Sequence, residues 1–483
     1  MNRHKKSEIP SQESISKMSL RGPVWGRSNP RKSDENRSYE TDSQKREEKR
    51  KGALEFDLAI IGGRVIDPET KMDQIADIFI RDGVIKRIEK SKSKLRAREV
   101  IDAKGMIVVP GLIDMHTHLR EPGREDEETI YTGSCAAAAG GFTSICCMPN
   151  THPPIDNQET VKFIYEKAKS AKCKIYPIGC VTKGQMGEEL TEIYDLVQAG
   201  VVAISDDGKP ISNPQVMRNA LEYSRMFNLP VITHCEDLSL SAGGVMHEGF
   251  ISTSLGMCGI PSVAEEIMVA RDVKLAEFTK ARIHIAHVST EGSVELIRQA
   301  KKRGAKVTCE ATPHHLTLSH EIIKTFDTNA KVNPPLRTKR DVEAIKRGLK
   351  DGTIDCIATD HAPHSIEEKE VEFDFAPCGM VGLETALSLV ITELIEKKVL
   401  SWSQAIAKLT MNPARILNLN AGRIKKDSPA DITIIDPKAS WVVDPGKFQS
   451  KSKNSPFGGR RLKGKARYTI VDGKVEYPPN LNP

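Results

Sequence analysis

Apolar residues in this chain begin abruptly and then follow two rhythms. Residues 1 to 51 are rich in Ser, Asn, Lys, Arg and Glu and nearly empty of aliphatic side chains, so they bury too little to offset the entropy of ordering. A disordered extension is therefore expected over residues 1–53. Leu54, Phe56, Leu58 and Ile60 then alternate with other residues up to Gly62-Gly63, which predicts a half-buried strand ending in a turn. Ile78–Arg81 and Val84–Ile88 flank Asp82-Gly83, and Tyr468–Val471 and Lys474–Tyr477 flank Asp472-Gly473. Asp-Gly accepts the positive φ values of a type I′ turn, so a hairpin is predicted at each end of the chain. With a further strand at Ile432–Ile435, the two β-rich ends are expected to form one small domain, since domains bring their termini together.

Between these ends, short apolar runs alternate with longer amphipathic stretches. The predicted strands are Gly111–Met115, Thr143–Met148, Lys174–Gly179, Val201–Ser205, Val231–His234, Arg282–Ala286, Lys306–Glu310 and Cys356–Thr359. Helical periodicity marks Val161–Ala171, Pro214–Phe227, Ser262–Phe278 and Ser293–Arg303. Eight strands separated by helices predict an α/β fold, a (β/α)8 TIM-type barrel over residues 109–420. A small discontinuous β-sandwich domain, residues 54–108 and 421–478, completes it. An open doubly wound sheet is the alternative architecture.

Composition narrows the function classes. The net charge of +6 lies entirely in the extension, whose 14 Lys/Arg face 8 Asp/Glu, and the remaining 57 basic and 57 acidic residues balance. No nucleic-acid surface is indicated for the folded part, and no apolar run approaches the ~20 residues of a membrane span. The ten cysteines show no C-x-x-C spacing, so reduced core thiols in a cytoplasmic protein are expected. An apolar signal core is missing from the N-terminus, and its acidic residues argue against a transit peptide.

The chemistry gathers where the barrel strands end, the face on which such barrels carry their active sites. His116 and His118 are two apart, so on a strand both rings leave one face, and Arg120 continues it. The second strand ends in Asn150, the fourth in Asp206-Asp207-Gly208 and the fifth in His234-Cys235-Glu236. The sixth ends in His287 and the eighth in Asp360-His361. Four imidazoles and two carboxylates without a required thiolate suit zinc or another borderline divalent ion, and six ligands are enough for two ions. Asp360 is expected to be both ligand and proton carrier; its alternative is a helix N-cap before Ala362-Pro363. His284 is read as a packing residue, and His314-His315 as support for the ligands.

The runs Asp114–Gly123 (DMHTHLREPG), Asn333–Arg337 (NPPLR), Ala358–His364 (ATDHAPH) and Gly379–Glu384 (GMVGLE) resemble the class I dihydroorotases of the metal-dependent amidohydrolase superfamily, over roughly residues 54–478. The resemblance implies reversible closure of N-carbamoyl-L-aspartate to L-dihydroorotate in pyrimidine synthesis, by a metal-bound hydroxide with Asp360 as general acid and base. It also implies zinc, two ions per subunit. His116 and His118 would hold the first metal, His234 and His287 the second, and Asp207 rather than Asp206 would bridge, a position where many relatives carry a carboxylated lysine. His118, Arg120, Asn150, Asn333, His364 and the main chain at Cys378-Gly379 would bind the substrate. Without the resemblance, these residues read sooner as a surface arginine and turn residues.

Two other functions compete: a hydantoinase or allantoinase of the same fold, and a non-catalytic scaffold for aspartate transcarbamoylase. The scaffold would have lost ligands, and here each expected one is present. Association with the transcarbamoylase and a homodimer both stay open. The charged segment Ser365–Pro377 beside the site reads as a lid or as a solvated loop.

Overall fold

The computed structural model describes residues 55–90 and 96–478; the extension expected at 1–53 lies outside the described residues. Five strands open the described chain: β1 (Phe56–Asp67), β2 (Met72–Arg81), β3 (Val84–Lys90), β4 (Ala97–Asp102) and β5 (Ile107–Pro110). The expected turn at Gly62-Gly63 is instead a bulge inside the continuous β1, where the pairing with β2 shifts register between Ile60 and Gly63. Gly62 adopts φ +71°, which a residue with a Cβ avoids. The bulge divides the strand's other edge, so that Phe56–Ile61 pairs with β4 and Arg64–Val65 with β5.

The barrel strands follow. They are β6 (Leu112–Thr117), β7 (Phe142–Cys147), β8 (Lys174–Gly179), β9 (Ala203–Ser205) and β10 (Val231–Thr233), then, after the short pair β11 (Met246–His247) and β12 (Gly259–Ile260), β13 (Ile283–Ile285), β14 (Val307–Ala311) and β15 (Cys356–Ile357). All eight barrel strands fall on the predicted runs. They hydrogen-bond in parallel in the order β15-β14-β13-β10-β9-β8-β7-β6, and a single parallel bridge between Thr117 and His361 joins the first to the last. The His118 N–H donates to the His361 carbonyl at 2.8 Å at that seam.

The four predicted helices are found at Gln158–Ala168, Pro214–Arg225, Val263–Thr279 and Glu291–Lys302. Neighbouring residues part company as a strand period of two requires. Cys146, Ala203 and Ile232 join one buried cluster, while Ile145, Cys147, Ile204 and Val231 join the larger one that includes the helices.

The chain closes with β16 (Ile432–Val442), β17 (Arg461–Val471) and β18 (Lys474–Tyr477). These extend the N-terminal strands into one eight-stranded sheet, with β16 antiparallel to β5. Both Asp-Gly pairs have positive φ at both residues, Asp82 at 52° with Gly83 at 72° and Asp472 at 46° with Gly473 at 76°. All ten cysteines are free thiols, seven of them buried. Among the described residues, no helix is long and apolar enough to cross a membrane.

Candidate functional site

Barrel closure brings the strand ends together. His116 Nε2 and His118 Nε2 lie 3.3 and 3.5 Å from Asp207 Oδ2. On the other side, Asp207 Oδ1 lies 3.5 Å from His287 Nε2 and 4.0 Å from His234 Nδ1. One carboxylate therefore separates two imidazole pairs. Asp360 Oδ1 approaches His118 Nε2 to 3.1 Å and His116 Nε2 to 3.5 Å, although the two residues are 242 positions from His118 to Asp360 along the chain. The facing nitrogens of His234 and His287 are 3.0 Å apart, a spacing that one shared proton or one cation satisfies.

The donor set fits divalent cations. His116, His118 and Asp207 present three ligand atoms within 4.8 Å of one another, and so do Asp207, His234 and His287. His116 Nε2 and Asp207 Oδ1 are buried without a hydrogen-bond partner, a condition that native proteins avoid unless something else satisfies the atom. Burial opposes charge on both residues. Even so, Asp207, Glu310 and Asp360 raise the pKa of His116 well above the ordinary imidazole value, and His116, His287 and His118 hold Asp207 well below the carboxylate range.

Just past the end of β9, Asp207 and its neighbour have different partners. Asp206 faces away and accepts the N–H groups of Val181 at 2.8 Å and Thr182 at 3.1 Å, together with the Thr182 hydroxyl. Three of the expected site residues leave the backbone at positive φ without being glycine: Arg120 at 63°, His287 at 31° and Asp360 at 50°. Such conformations cost ~1–3 kcal/mol each and cluster at active sites. Asp360 does not cap a helix; the next one, Ile366–Lys369, is capped by Ser365.

Two carboxylates at strand ends were given no role from the sequence, Glu310 and Glu236. Glu310, the penultimate residue of β14, accepts from His116 Nδ1 at 2.6 Å and from His284 Nε2 at 3.2 Å. His284 is thus a hydrogen-bonding partner rather than packing, and its Nδ1 reaches Thr308 Oγ1 at 2.8 Å. Glu236 takes the outer nitrogen of His234 at 3.0 Å and the Asn333 amide at 2.8 Å. Burial works against ionisation of both acids, yet the imidazole partners bring each down to about 2. The available signal was positional: both acids lie at barrel strand ends, the same register as the histidines. His315 Nε2 holds the Pro334 carbonyl at 2.9 Å, next to Asn333. His314 Nε2 is buried without a partner.

A cavity of about 240 Å³ opens over this cluster, lined by His118, Arg120, Asn150, Asp207, His234, His287, Asn333, Asp360, His364 and Cys378-Gly379 among others. It gathers every expected site residue except His116, which lies beneath it. Asn150 Oδ1 accepts from His118 Nδ1 at 2.8 Å, leaving its amide nitrogen. The Gly379 N–H already donates to the Lys331 carbonyl at 2.9 Å, and the Gly379 carbonyl accepts from Asn454 at 3.1 Å. The segment after His364 is tied to the site: Glu368 Oε2 lies 3.1 Å from His364 Nδ1, and the buried Lys369 Nζ donates to the Thr328 and Pro377 carbonyls at 3.0 and 2.7 Å.

The family model for the amidohydrolase family matches residues 107–475. A dihydroorotase of Acetivibrio thermocellus is 57% identical over 86% of this chain and 98% of its own length. One of Pelotomaculum thermopropionicum is likewise 57% identical, over 86% and 98%. The chain belongs to the dihydroorotases of the amidohydrolase family. It is therefore a metal-dependent cyclic amidohydrolase, and its (β/α)8 barrel with an attached sheet is the family fold. Among solved structures, an L-hydantoinase of Arthrobacter aurescens superposes with a TM-score of 0.79 at 26% identity, covering 87% of this chain and 96% of that one. A dihydropyrimidinase of Brevibacillus agri gives 0.75 at 23%, covering 86% and 94%, and shares the fold.

Proposed function

We propose that the chain closes N-carbamoyl-L-aspartate to L-dihydroorotate, reversibly, in the cavity over Asp207 and Asp360. The observation that supports this is the cavity itself, where Arg120, Asn150 and Asn333 line the same space as the imidazoles on either side of Asp207. His116 and His118 would hold one zinc ion, His234 and His287 a second, with Asp207 between them and Asp360 a further ligand. Divalent cations there would supply a nucleophilic oxygen at neutral pH and polarise the amide carbonyl.

The protein's own groups do the rest. Arg120 offers a guanidinium fork, and Asn150 and Asn333 offer neutral amides, to the substrate carboxylate. His118, His364 and the Cys378 main chain face the ring. In the hydrolytic direction water adds to the ring amide carbon and the C–N bond breaks. Asp360 takes the water's proton and hands it to the departing nitrogen, and the reverse order closes the ring. Burial opposes its charge, but His116, His118 and His287 hold the Asp360 carboxyl well below the ordinary carboxylate range. We place the protein in the cytoplasm, in keeping with its free thiols, and divide it into the barrel, residues 109–420, and a composite sheet domain, 54–108 with 421–478.

The hydantoinases share the barrel at 22–26% identity, whereas the dihydroorotases reach 53–57%. Protein of measured metal content is expected to open L-dihydroorotate and leave hydantoin untouched. Turnover of hydantoin alone would overturn the assignment.

Glu310 orients His116 through the ring nitrogen that faces away from the cluster, as outer carboxylates do in metal sites. Glu310→Gln is expected to weaken metal retention by ~10–100-fold, read by competition with a chromophoric chelator. Unchanged retention would remove Glu310 from the metal site's support.

A further inference from the structure

Glu127 has no place in any motif quoted above, yet it is 1% exposed. A carboxylate that deep must be paired, since an isolated buried charge is very costly. Its partners include two basic groups that line the cavity, Arg120 and His364. Glu127 Oε2 lies 2.9 Å from Arg120 Nε, and Oε1 lies 2.9 Å from His364 Nδ1. Arg124 Nη2 reaches Oε1 as well, at 3.2 Å.

These contacts decide which way each partner points. The one Arg120 Nε–H donates to the Pro363 carbonyl at 3.0 Å with the Glu127 carboxylate paired beside it, and Nη2 stands 3.2 Å from His364 Nε2. His364 is clamped from both ends, by Glu127 on Nδ1 and by the Cys378 carbonyl on Nε2 at 2.9 Å. One rigid carboxylate thus sets the spacing between two groups that come from opposite ends of the barrel sequence. The outer acid Glu368 also reaches His364 Nδ1, at 3.1 Å, and Arg124, at 2.6 Å, but its side chain and that of Arg124 are 30% and 45% exposed. Water screens that outer pair, whereas Glu127 acts in a medium where charge is felt strongly.

We infer that Glu127 is a positioning residue for substrate recognition, which holds Arg120 and His364 at the separation that a ring-borne carboxylate requires. The inference rests on the proposed role of Arg120 and His364 as carboxylate and ring contacts. Glutamine at 127 keeps the volume but puts an amide donor against one of two donors, so one partner is released. Preorganisation is what a two-point grip on a small anion depends on.

The test is a kinetic comparison of Glu127→Gln, Glu127→Asp and Arg120→Lys, each with its metal content and thermal midpoint measured. Glu127→Gln is expected to raise KM for L-dihydroorotate by ~10-fold or more with kcat within ~3-fold and metal content unchanged. Glu127→Asp keeps the charge but is too short to reach both partners, and is expected to fall between Gln and wild type. It also carries the test if the Gln variant does not fold. A lowered thermal midpoint with an unaltered KM would make Glu127 a purely structural residue and overturn the inference. If Arg120→Lys leaves KM unaltered, the substrate-grip reading itself fails; if Arg120→Lys raises KM and neither Glu127 variant does, only the inference about Glu127 fails.

Discussion

Asp360→Asn is expected to lower kcat by ~10²–10⁴-fold, the usual worth of a positioned general acid and base, with KM within ~3-fold and metal content unchanged. Asparagine matches the shape and keeps an oxygen for His118, which stands 3.1 Å from Asp360 Oδ1. It cannot take up a proton and return it. The expected loss therefore falls on both directions of the reaction, since ring opening and ring closure use the same proton in reverse order. The measurement is steady-state kinetics with L-dihydroorotate and with N-carbamoyl-L-aspartate, alongside metal analysis. A near-normal kcat would refute the proton-carrying role of Asp360, and a variant stripped of metal would trace the loss to its other proposed role, as a ligand.

Removal of divalent ions has the second large effect. Exhaustive chelation is expected to abolish activity in both directions, and zinc to restore it. The physical basis is the pair of orphaned buried atoms, His116 Nε2 and Asp207 Oδ1, together with the protons that the metal must displace. Burial resists charge on His116, but three surrounding carboxylates raise its pKa well above the ordinary value and so favour its protonated form when metal is absent. Ligation needs it neutral. Adding zinc to the stripped protein should therefore release protons, measurable in weak buffer, and metal retention should fall as pH falls. Zinc at 100 times its dissociation constant should also stabilise the fold by ~2.7 kcal/mol, seen as a higher thermal midpoint. Asp207→Asn, which takes away the shared charge, is expected to lower the number of ions retained. Full activity after verified metal loss would overturn the ligand assignment.

Several parts of this site were legible because they are local. A strand of period two puts His116 and His118 on one face wherever the strand lies in the barrel, and Asp-Gly forces positive φ in both hairpins. The choice of Asp207 over Asp206, by contrast, comes from the resemblance and not from a local period. The bulge at Gly62-Gly63 reads as a turn because a glycine pair marks both. Whether the chain reverses or continues was settled by two neighbours, β4 and β5, that each half of β1 could join. His284 reads as packing for a similar reason: its partner Glu310 is on the next barrel strand, 26 residues on. Glu127 was invisible to pattern, since nothing between Gly123 and the helix at Ile130–Gly140 follows a strand or helix period.

The sequence by itself determined the eight strands, the residues at their ends, the two hairpins and the family, because each depends on backbone periodicity or on a short contiguous run. Tertiary structure alone decided which carboxylate meets which imidazole. Those contacts join residues separated by 194 positions, as for His116 and Glu310, or 237, as for Glu127 and His364. Closure of the barrel at Thr117 and His361 converts such separations into hydrogen-bond distances, and no local rule reports where a ring will close.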